Sequence, residues 1–436
     1  MYSIPSRHHA ARLTMAMVAL LLMVYTYMDF TTPSSAMTAE LLNVERGSWS
    51  CDGLNIAQVT RKLHLNYGHE HVYTYDEVSE FACSMLHHQM NATAGLKCAS
   101  KPDSRYNHLR PAHESKPKVH YFFALDLHQA VHVIIPLMGA IIEAMRYLGP
   151  EHCALSIVEG RSRDGTHTIL AGLKAELAAM GVPFFLSKSF VDPKALGENR
   201  ITALSALRNQ ALEPLFQESK NRHSRLSSDP TIVFVNDIVL CPEDILELLH
   251  QRVSQSAAMT CAFDWNAHDG PFYDSWVSRS MSGNLFFEIT HDGKYWLGQD
   301  MFFDHPDSAD RWRQSLPIQV YSCWGGMVTL DAKPFLQNKV TFRAPKNNEC
   351  GMGEPMTLAQ DLWRLGLGKI LAVPTVHVAY EYDISRSAKE KHGYTHDAVA
   401  SAQYNKAAEK VKWQESPPPM VKCMPVVNRQ SWMAPT

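Results

Sequence analysis

A chain of 436 residues with 45% apolar and 19% charged side chains has the composition of an ordinary globular protein, with room for two or three domains, and is not a disordered chain. Its 41 basic residues against 44 acidic ones give a formal net charge of -3 with histidine neutral. That balance offers no basic footprint, so nucleic acid is excluded as a partner.

Arg7, His8, His9 and Arg12 precede an apolar run from Leu13 to Met28, which is the pattern of a secretory-pathway targeting segment. The run reaches the lower limit for crossing a bilayer and its basic flank comes first. It therefore reads as an uncleaved signal anchor, a transmembrane helix over 13–30, with a cytoplasmic tail at 1–12 and the rest of the chain lumenal. A cleaved signal peptide ending near Ser34-Ser35-Ala36 is the alternative. Residues 31–50 are rich in Thr, Ser and Ala and read as a stem. Asn91-Ala92-Thr93 is an N-glycosylation acceptor. Nine cysteines in an oxidising compartment imply disulfides, but the odd number leaves at least one unpaired and the connectivity stays open. No Cys/His cluster has zinc spacing.

Residues 51–116 hold two helical patterns, Leu54 to Leu65 and Tyr75 to Met90, and read as a small N-terminal extension packed on a main domain at 117–387. The main domain opens with the buried-strand run Val119 to Leu125, followed by Asp126. A helix with Ile134, Leu137, Ile141, Met145 and Leu148 on one face ends at Gly149-Pro150. Cys153 to Val158 is a second strand leading to Glu159 and a loop through Asp164. The next helix carries Ile169, Leu170, Leu173 and Leu177, and Val182 to Leu186 is a third strand. A helical pattern from Arg200 to Pro214 has Arg208 at its middle. Its planar guanidinium suits bidentate phosphate binding, although a solvated helix face explains it equally.

The run Thr231 to Val235 then ends at Asn236-Asp237, and Pro242 with Glu243 and Asp244 suits the first turn of a following helix. Ala257 to Phe263 is a further strand ending at Asp264-Trp265. Strands alternating with amphipathic helices predict an α/β fold, a mostly parallel central sheet with flanking helices. In such a sheet the loops after the strands gather on one rim, where ligands bind. This places Asp126, Glu159, Asp164, Asn236 and Asp237 together. Phe272 to Trp276, including Asp274, has the composition of a sugar platform. Gly325-Gly326 after Trp324 lets backbone approach a ligand, or simply makes a tight turn. His377 lies in an apolar run, where a core residue is the commoner reading than a ligand. Residues 388–436 weaken in pattern and read as a C-terminal surface tail.

The segments Ser162 to Thr166, Arg208 to Leu215, Phe234 to Asp237, Cys261 to Asp264, Phe272 to Asp274, Cys323 to Met327, Glu349-Cys350 and Val373 to Tyr380, in that order and spacing, resemble the fungal α-1,3-mannosyltransferase family related to the cryptococcal capsule-associated proteins, glycosyltransferase family 69. The resemblance implies a GT-A-like nucleotide-sugar-binding fold, type II Golgi membrane topology and transfer of mannose from GDP-mannose to a mannose-containing glycan acceptor with retention, forming an α-1,3 linkage. It implies a divalent cation, Mn²⁺ or Mg²⁺, on Asp237 with His377 as a candidate additional ligand. Donor contacts fall to Glu159, Asp164, Arg208 and Asn236. Asp274, Trp324, Gly325 and Gly326 would line the sugar and acceptor pocket, with Asp237, Asp264 and Glu349 as the catalytic candidates. Asn rather than Asp precedes Asp237, so this motif offers a metal one carboxylate. The alternative is a non-catalytic carbohydrate-binding or glycan-assembly factor that retains the fold.

Overall fold

The structure is a computed structural model that describes residues 58–59, 62–63, 69–86, 95–112, 116–197, 199–268, 270–290, 292, 300–401 and 406–435. The expected tail, anchor and stem at 1–50, and the acceptor Asn91, lie outside them. Among the described residues no helix is long and apolar enough to cross a membrane.

Residues 51–436 form one compact unit around a nine-stranded sheet. The N-terminal extension contributes α1 (Tyr75–Leu86). Then β1 (Val119–Leu127), α2 (Ile134–Leu148), β2 (Cys153–Glu159), α3 (Thr166–Gly172), β3 (Phe184–Lys188), α4 (Arg200–Lys220) and β4 (Leu226–Val235) follow in turn. β3, β2, β1 and β4 are joined by parallel pairing. Their near-continuous apolar runs need cover on both faces, and the intervening helices supply it.

The second half comprises α5 (Pro242–Ser254), β5 (Met259–Trp265), β6 (Arg279–Ser280), α6 (Pro306–Arg313), β7 (Ile318–Ser322), β8 (Met327–Asp331), α7 (Glu354–Arg364), β9 (Ile370–Ala379) and α8 (Tyr382–His392). β8 inserts antiparallel between β4 and β5, and β7 likewise runs against β9 and β6. The predicted α/β class with a mostly parallel sheet is the one observed, and one antiparallel strand between two parallel groups fits the GT-A-like arrangement. Pro374, a residue without an N–H for a ladder, sits in β9 where the pairing with β5 slips between Ala372 and His377.

Local chemistry sets the elements that carry the site. Asn199 caps α4, its Oδ1 accepting from Ile201 N at 3.0 Å and Thr202 N at 3.1 Å. The helix continues past Pro214 to Lys220. Pro242 opens α5 as expected, and the Asp244 carboxylate closes a capping box by accepting from Cys241 N at 2.7 Å.

Disulfides join parts that apolar packing alone would leave apart. Cys98–Cys241 fastens the N-terminal extension to the start of α5, Cys261–Cys323 ties β5 to the end of β7, and Cys350–Cys423 draws in the C-terminus. Cys153 is free and buried. The residues expected to form a surface tail therefore require correction. α8 crosses the expected boundary at 387, and residues Val421–Val426 (β10) pair antiparallel with Arg429–Met433 (β11). Val421, Cys423 and Met424 are buried. The fully buried Arg279 donates from Nε to Lys422 O at 2.6 Å. A disulfide, the Arg279 side chain and a few buried apolar residues hold this hairpin, and so short an apolar set leaves little hydrophobic period to read.

Candidate functional site: an acidic cleft at the carboxyl edge of the sheet

A cleft of about 1250 Å³ opens where β1 and β4 end. Asp126 near the end of β1 and Asn236-Asp237 after β4 line it, together with Arg208 from α4, Asp274, Trp324, Glu354 and Tyr380. This is the rim that parallel strands with covering helices predict. Burial pushes Asp237 up to about 7, and the neighbouring Asp126 carboxylate adds to the rise. Asp126 is pushed up to about 6 by burial, against the pull of Arg208. The two carboxylates thus lie close enough to feel each other's charge, and low solvation favours their neutral forms.

Arg208 is the buried cation of the cleft. Its guanidinium carbon stands 3.8 Å from the Trp324 ring centroid, and Nη1 is 3.0 Å from Glu354 Oε1 at the start of α7. Nε is buried and has no hydrogen-bond partner among the described residues. A planar cation stacked on indole and held by one carboxylate keeps part of its donor fork free for an anion.

A hydrogen-bonded chain runs along the cleft floor. Trp324 Nε1 donates to Asn236 Oδ1 at 3.2 Å, Asn236 Nδ2 donates to the Tyr380 hydroxyl at 3.3 Å, and that hydroxyl donates to Asp264 Oδ2 at 2.9 Å. Asp264 Oδ1 accepts from Asp274 N at 3.1 Å, and Asp274 Oδ2 accepts from Gly325 N at 2.8 Å. Burial raises Asp264 well above the carboxylate range and the nearby Asp274 charge adds to it. Burial also raises Asp274, with the Gly325 N–H pulling the other way. The Cys261–Cys323 bridge closes this loop next to Trp324.

The structure brings Asp237, Asn236, Arg208, Asp274 and Trp324 to the cleft as expected, and displaces the other candidates. Asp264 is fully buried and braces Tyr380 and Asp274 from beneath. Gly325 and Gly326 have φ of +66° and +75°, and a Cβ on Gly325 would stand 1.9 Å from Ala262 O. The pair turns the backbone against β5 and leaves the pocket wall to Trp324. Glu159 and Asp164 are buried loop braces: Glu159 accepts from Ser162 N at 2.7 Å, and Asp164 accepts from Val131 N at 3.1 Å and from the Thr166 hydroxyl at 2.7 Å. From those loops Arg161 lines the cleft instead.

Two expectations are overturned by position. Glu349 is bound to Arg343 at 2.6 Å and Arg364 at 2.8 Å and is not among the cleft residues. Hydrogen bonds from Arg343 above all hold its carboxyl down at about 2, which suits a structural ion cluster and not proton transfer. His377 pairs with Phe263 in the β5–β9 register, one residue from the Asp264–Val378 pair. Successive strand residues face opposite sides, so His377 points away from the face that Asp264 shares with the cleft. It is buried against Phe263, Trp265, Trp312 and His392, accepts from Trp265 Nε1 at 3.3 Å, and is held well below its ordinary pKa by burial. It is not among the residues that line the cleft with Asp237. Among the described residues, the grouping Cys98, Cys241 and Glu243 has metal-type side chains, but its two sulfurs form a disulfide.

Sequence reading set Asp126 on the ligand rim without giving it a role, and it missed Glu354 and Tyr380 as site residues. Asp126 was visible as the acid at a strand's carboxyl end, the same signal that marked Asp237.

The fold and the cleft define an α/β protein with acidic and basic side chains gathered at the carboxyl edge of its sheet. The particular family is shown by sequence: residues 120–361, more than half of the chain, match the family described as Cryptococcal mannosyltransferase 1, and the chain belongs to it. It is similar to the alpha-1,3-mannosyltransferase CMT1 of Cryptococcus neoformans var. neoformans, with 34% identity over 306 residues, 66% of this chain and 64% of that protein. The match thus spans less than two thirds of the relative's length. Solved structures of slight similarity include S. aureus TarS 1-349, at 10% identity and TM-score 0.33 over 67% of this chain and 76% of that one. Another is the mannosyltransferase PcManGT from Pyrobaculum calidifontis in complex with GDP-Man and Mn2+, at 9% identity and TM-score 0.32 over 63% and 62%. Scores this low carry no functional argument.

Proposed function

We propose that this protein is a hexosyltransferase that moves mannose from GDP-mannose to a mannose-containing glycan acceptor, forming an α-1,3 linkage with retention. The observation that carries the reading is the meeting of Asp126, Asp237 and Arg208 in one cleft of a chain that belongs to a mannosyltransferase family. The named activity of the cryptococcal relative supports the linkage.

Asp126 and Asp237 fit a divalent cation. They supply oxygen ligands only, the set preferred by Mn²⁺ and Mg²⁺, and their mutual repulsion in a poorly solvated cleft is what a hard cation would offset. When bound, the cation would neutralise charge on the departing diphosphate. The chain's own contribution is the Arg208 guanidinium, fixed by Trp324 and Glu354, which offers N–H donors to the same group. Tyr273 is half exposed on the cleft wall and packs edge-on to Tyr380 at 5.2 Å. Its free face suits the CH patch of an acceptor sugar. The non-catalytic alternative rested on Asn236, and that residue's amide has a hydrogen-bonding task which an aspartate would not perform.

The proposed location is the Golgi membrane, single-pass type II with the catalytic domain lumenal. The disulfides support an oxidising compartment. A mobility shift on endoglycosidase treatment, lost in Asn91→Gln, together with protease protection in sealed microsomes, tests this location. The donor is tested by incubating the full-length chain with GDP-mannose, GDP-fucose, UDP-glucose and UDP-galactose, Mn²⁺ and mannobiose. Transfer from GDP-mannose alone supports the proposal, whereas preference for a UDP-sugar refutes the donor.

A further inference from the structure

Asn236 stands immediately before the carboxylate that the cation reading uses, and its hydrogen bonds explain why an amide is there. An indole N–H can only donate, so Trp324 Nε1 at 3.2 Å fixes the amide oxygen toward itself. The amide nitrogen then faces the Tyr380 hydroxyl at 3.3 Å, which gives its own proton to Asp264 at 2.9 Å. With Asn at this position donors and acceptors match along the whole chain from Trp324 to Asp264. Aspartate could accept from Trp324 but would have no proton for Tyr380, and it would add a negative charge beside Asp237.

The other face of this arrangement is cationic. The Trp324 ring held by Asn236 is the surface on which Arg208 lies, 3.8 Å from the ring centroid. Phe234 and Phe342 pack against the same indole at 5.5 and 5.9 Å. The indole N–H to Asn236 is therefore the polar contact that sets the rotation of a ring otherwise gripped by apolar neighbours. A change at Asn236 would reach Arg208 through one intervening side chain.

We infer that Asn236 is a positioning residue for the diphosphate of the donor: through Trp324 it fixes where the Arg208 guanidinium presents its charge in the cleft. This rests on the nucleotide-sugar reading above. It has a counterintuitive consequence, because Asn236→Asp, which builds a tandem acidic pair, weakens nucleotide binding instead of strengthening it.

The test is calorimetric titration of the full-length chain with GDP in the presence of Mn²⁺, comparing wild type, Asn236→Asp, Trp324→Phe, Arg208→Lys and the Asn236→Asp/Arg208→Lys double variant, with melting temperatures as the folding control. Trp324→Phe keeps an aromatic face but removes the N–H, so it probes the same link should Asn236→Asp fail to fold. Asn236→Asp and Trp324→Phe are each expected to weaken GDP binding about tenfold and to raise the donor KM more than they lower kcat. The double variant is expected to bind little worse than Arg208→Lys alone, since both changes act on one contact. Wild-type affinity in folded Asn236→Asp or in Trp324→Phe overturns the inference, as does a double variant whose losses multiply. Wild type that binds no GDP overturns the donor reading itself, and the two failures are thereby distinguished.

Discussion

The Arg208 guanidinium lies over Trp324 at 3.8 Å from the ring centroid, with Glu354 at 3.0 Å from its Nη1. This joins α4, the turn before β8 and the start of α7 at a single cation. Arg208→Lys preserves a charge for Glu354 but loses the planar fork and the stacking. Its expected effect is a fall of roughly 100-fold in kcat/KM with the fold retained. Arg208→Ala should cost stability as well, about 3 kcal/mol or more, because it strands the buried Glu354 carboxylate. Steady-state kinetics alongside denaturant melts separate the two, and a Lys variant with wild-type turnover would remove Arg208 from the donor site.

The proposed cation ligands are Asp126 near the end of β1 and Asp237 just after β4. Asp126→Asn and Asp237→Asn should each weaken Mn²⁺ binding by at least tenfold, read from the free-ion electron paramagnetic resonance signal. His377→Gln should leave Mn²⁺ affinity unchanged, since His377 faces an aromatic layer on the other side of the sheet. Loss of Mn²⁺ in the His377 variant with retention in Asp126→Asn would reverse the assignment.

Glu349 is expected to matter for stability and not for turnover. Glu349→Gln loses charge-assisted hydrogen bonds to Arg343 and Arg364, an effect on the order of 1–3 kcal/mol, while kcat/KM stays within about threefold. The pH dependence has a definite sign. The folded-state carboxyl is held at about 2 against an ordinary 4.5, so its stabilisation is complete above 4.5 and is lost as pH falls toward 2. Melting temperatures of wild type and Glu349→Gln should therefore converge on acidification. A gap that persists at pH 2 would contradict this.

The Cys261–Cys323 bridge closes a span of 62 residues and holds β5 beside Trp324. In the chain-entropy treatment its removal costs about 4 kcal/mol. Cys261→Ala/Cys323→Ala should melt well below wild type and lose donor turnover while any residual fold persists. Unchanged activity and melting would show that packing alone positions Trp324.

Much of this was legible in the residues because parallel strands announce themselves. The β-branched run of β4 and its end at Asp237, the Pro242 opening of α5 and the one-face period of α2 all follow from local patterns. What failed depended on partners distant in sequence or on which face a residue takes. Every residue of β9 is buried, so alternation gave His377 no face. Only its register with Phe263 does. Glu349 looked like a pocket acid because its two arginines, Arg343 and Arg364, become its partners only in the fold. Asn236 looked like a lost ligand, and the indole that explains it lies 88 residues away in sequence. The C-terminal hairpin was missed because a disulfide, Arg279 and only a few buried apolar residues attach it, too few to show a period.

The central claim is that the cleft between β1 and β4 carries mannosyl transfer and that Asp237 belongs to the chemistry. It is tested most directly by radiolabelled mannose transfer from GDP-mannose to mannobiose with Mn²⁺, comparing full-length wild type with Asp237→Asn at matched circular dichroism. The account predicts transfer by wild type and a loss of about 100-fold or more in the variant. A folded Asp237→Asn protein that transfers mannose at the wild-type rate would contradict it.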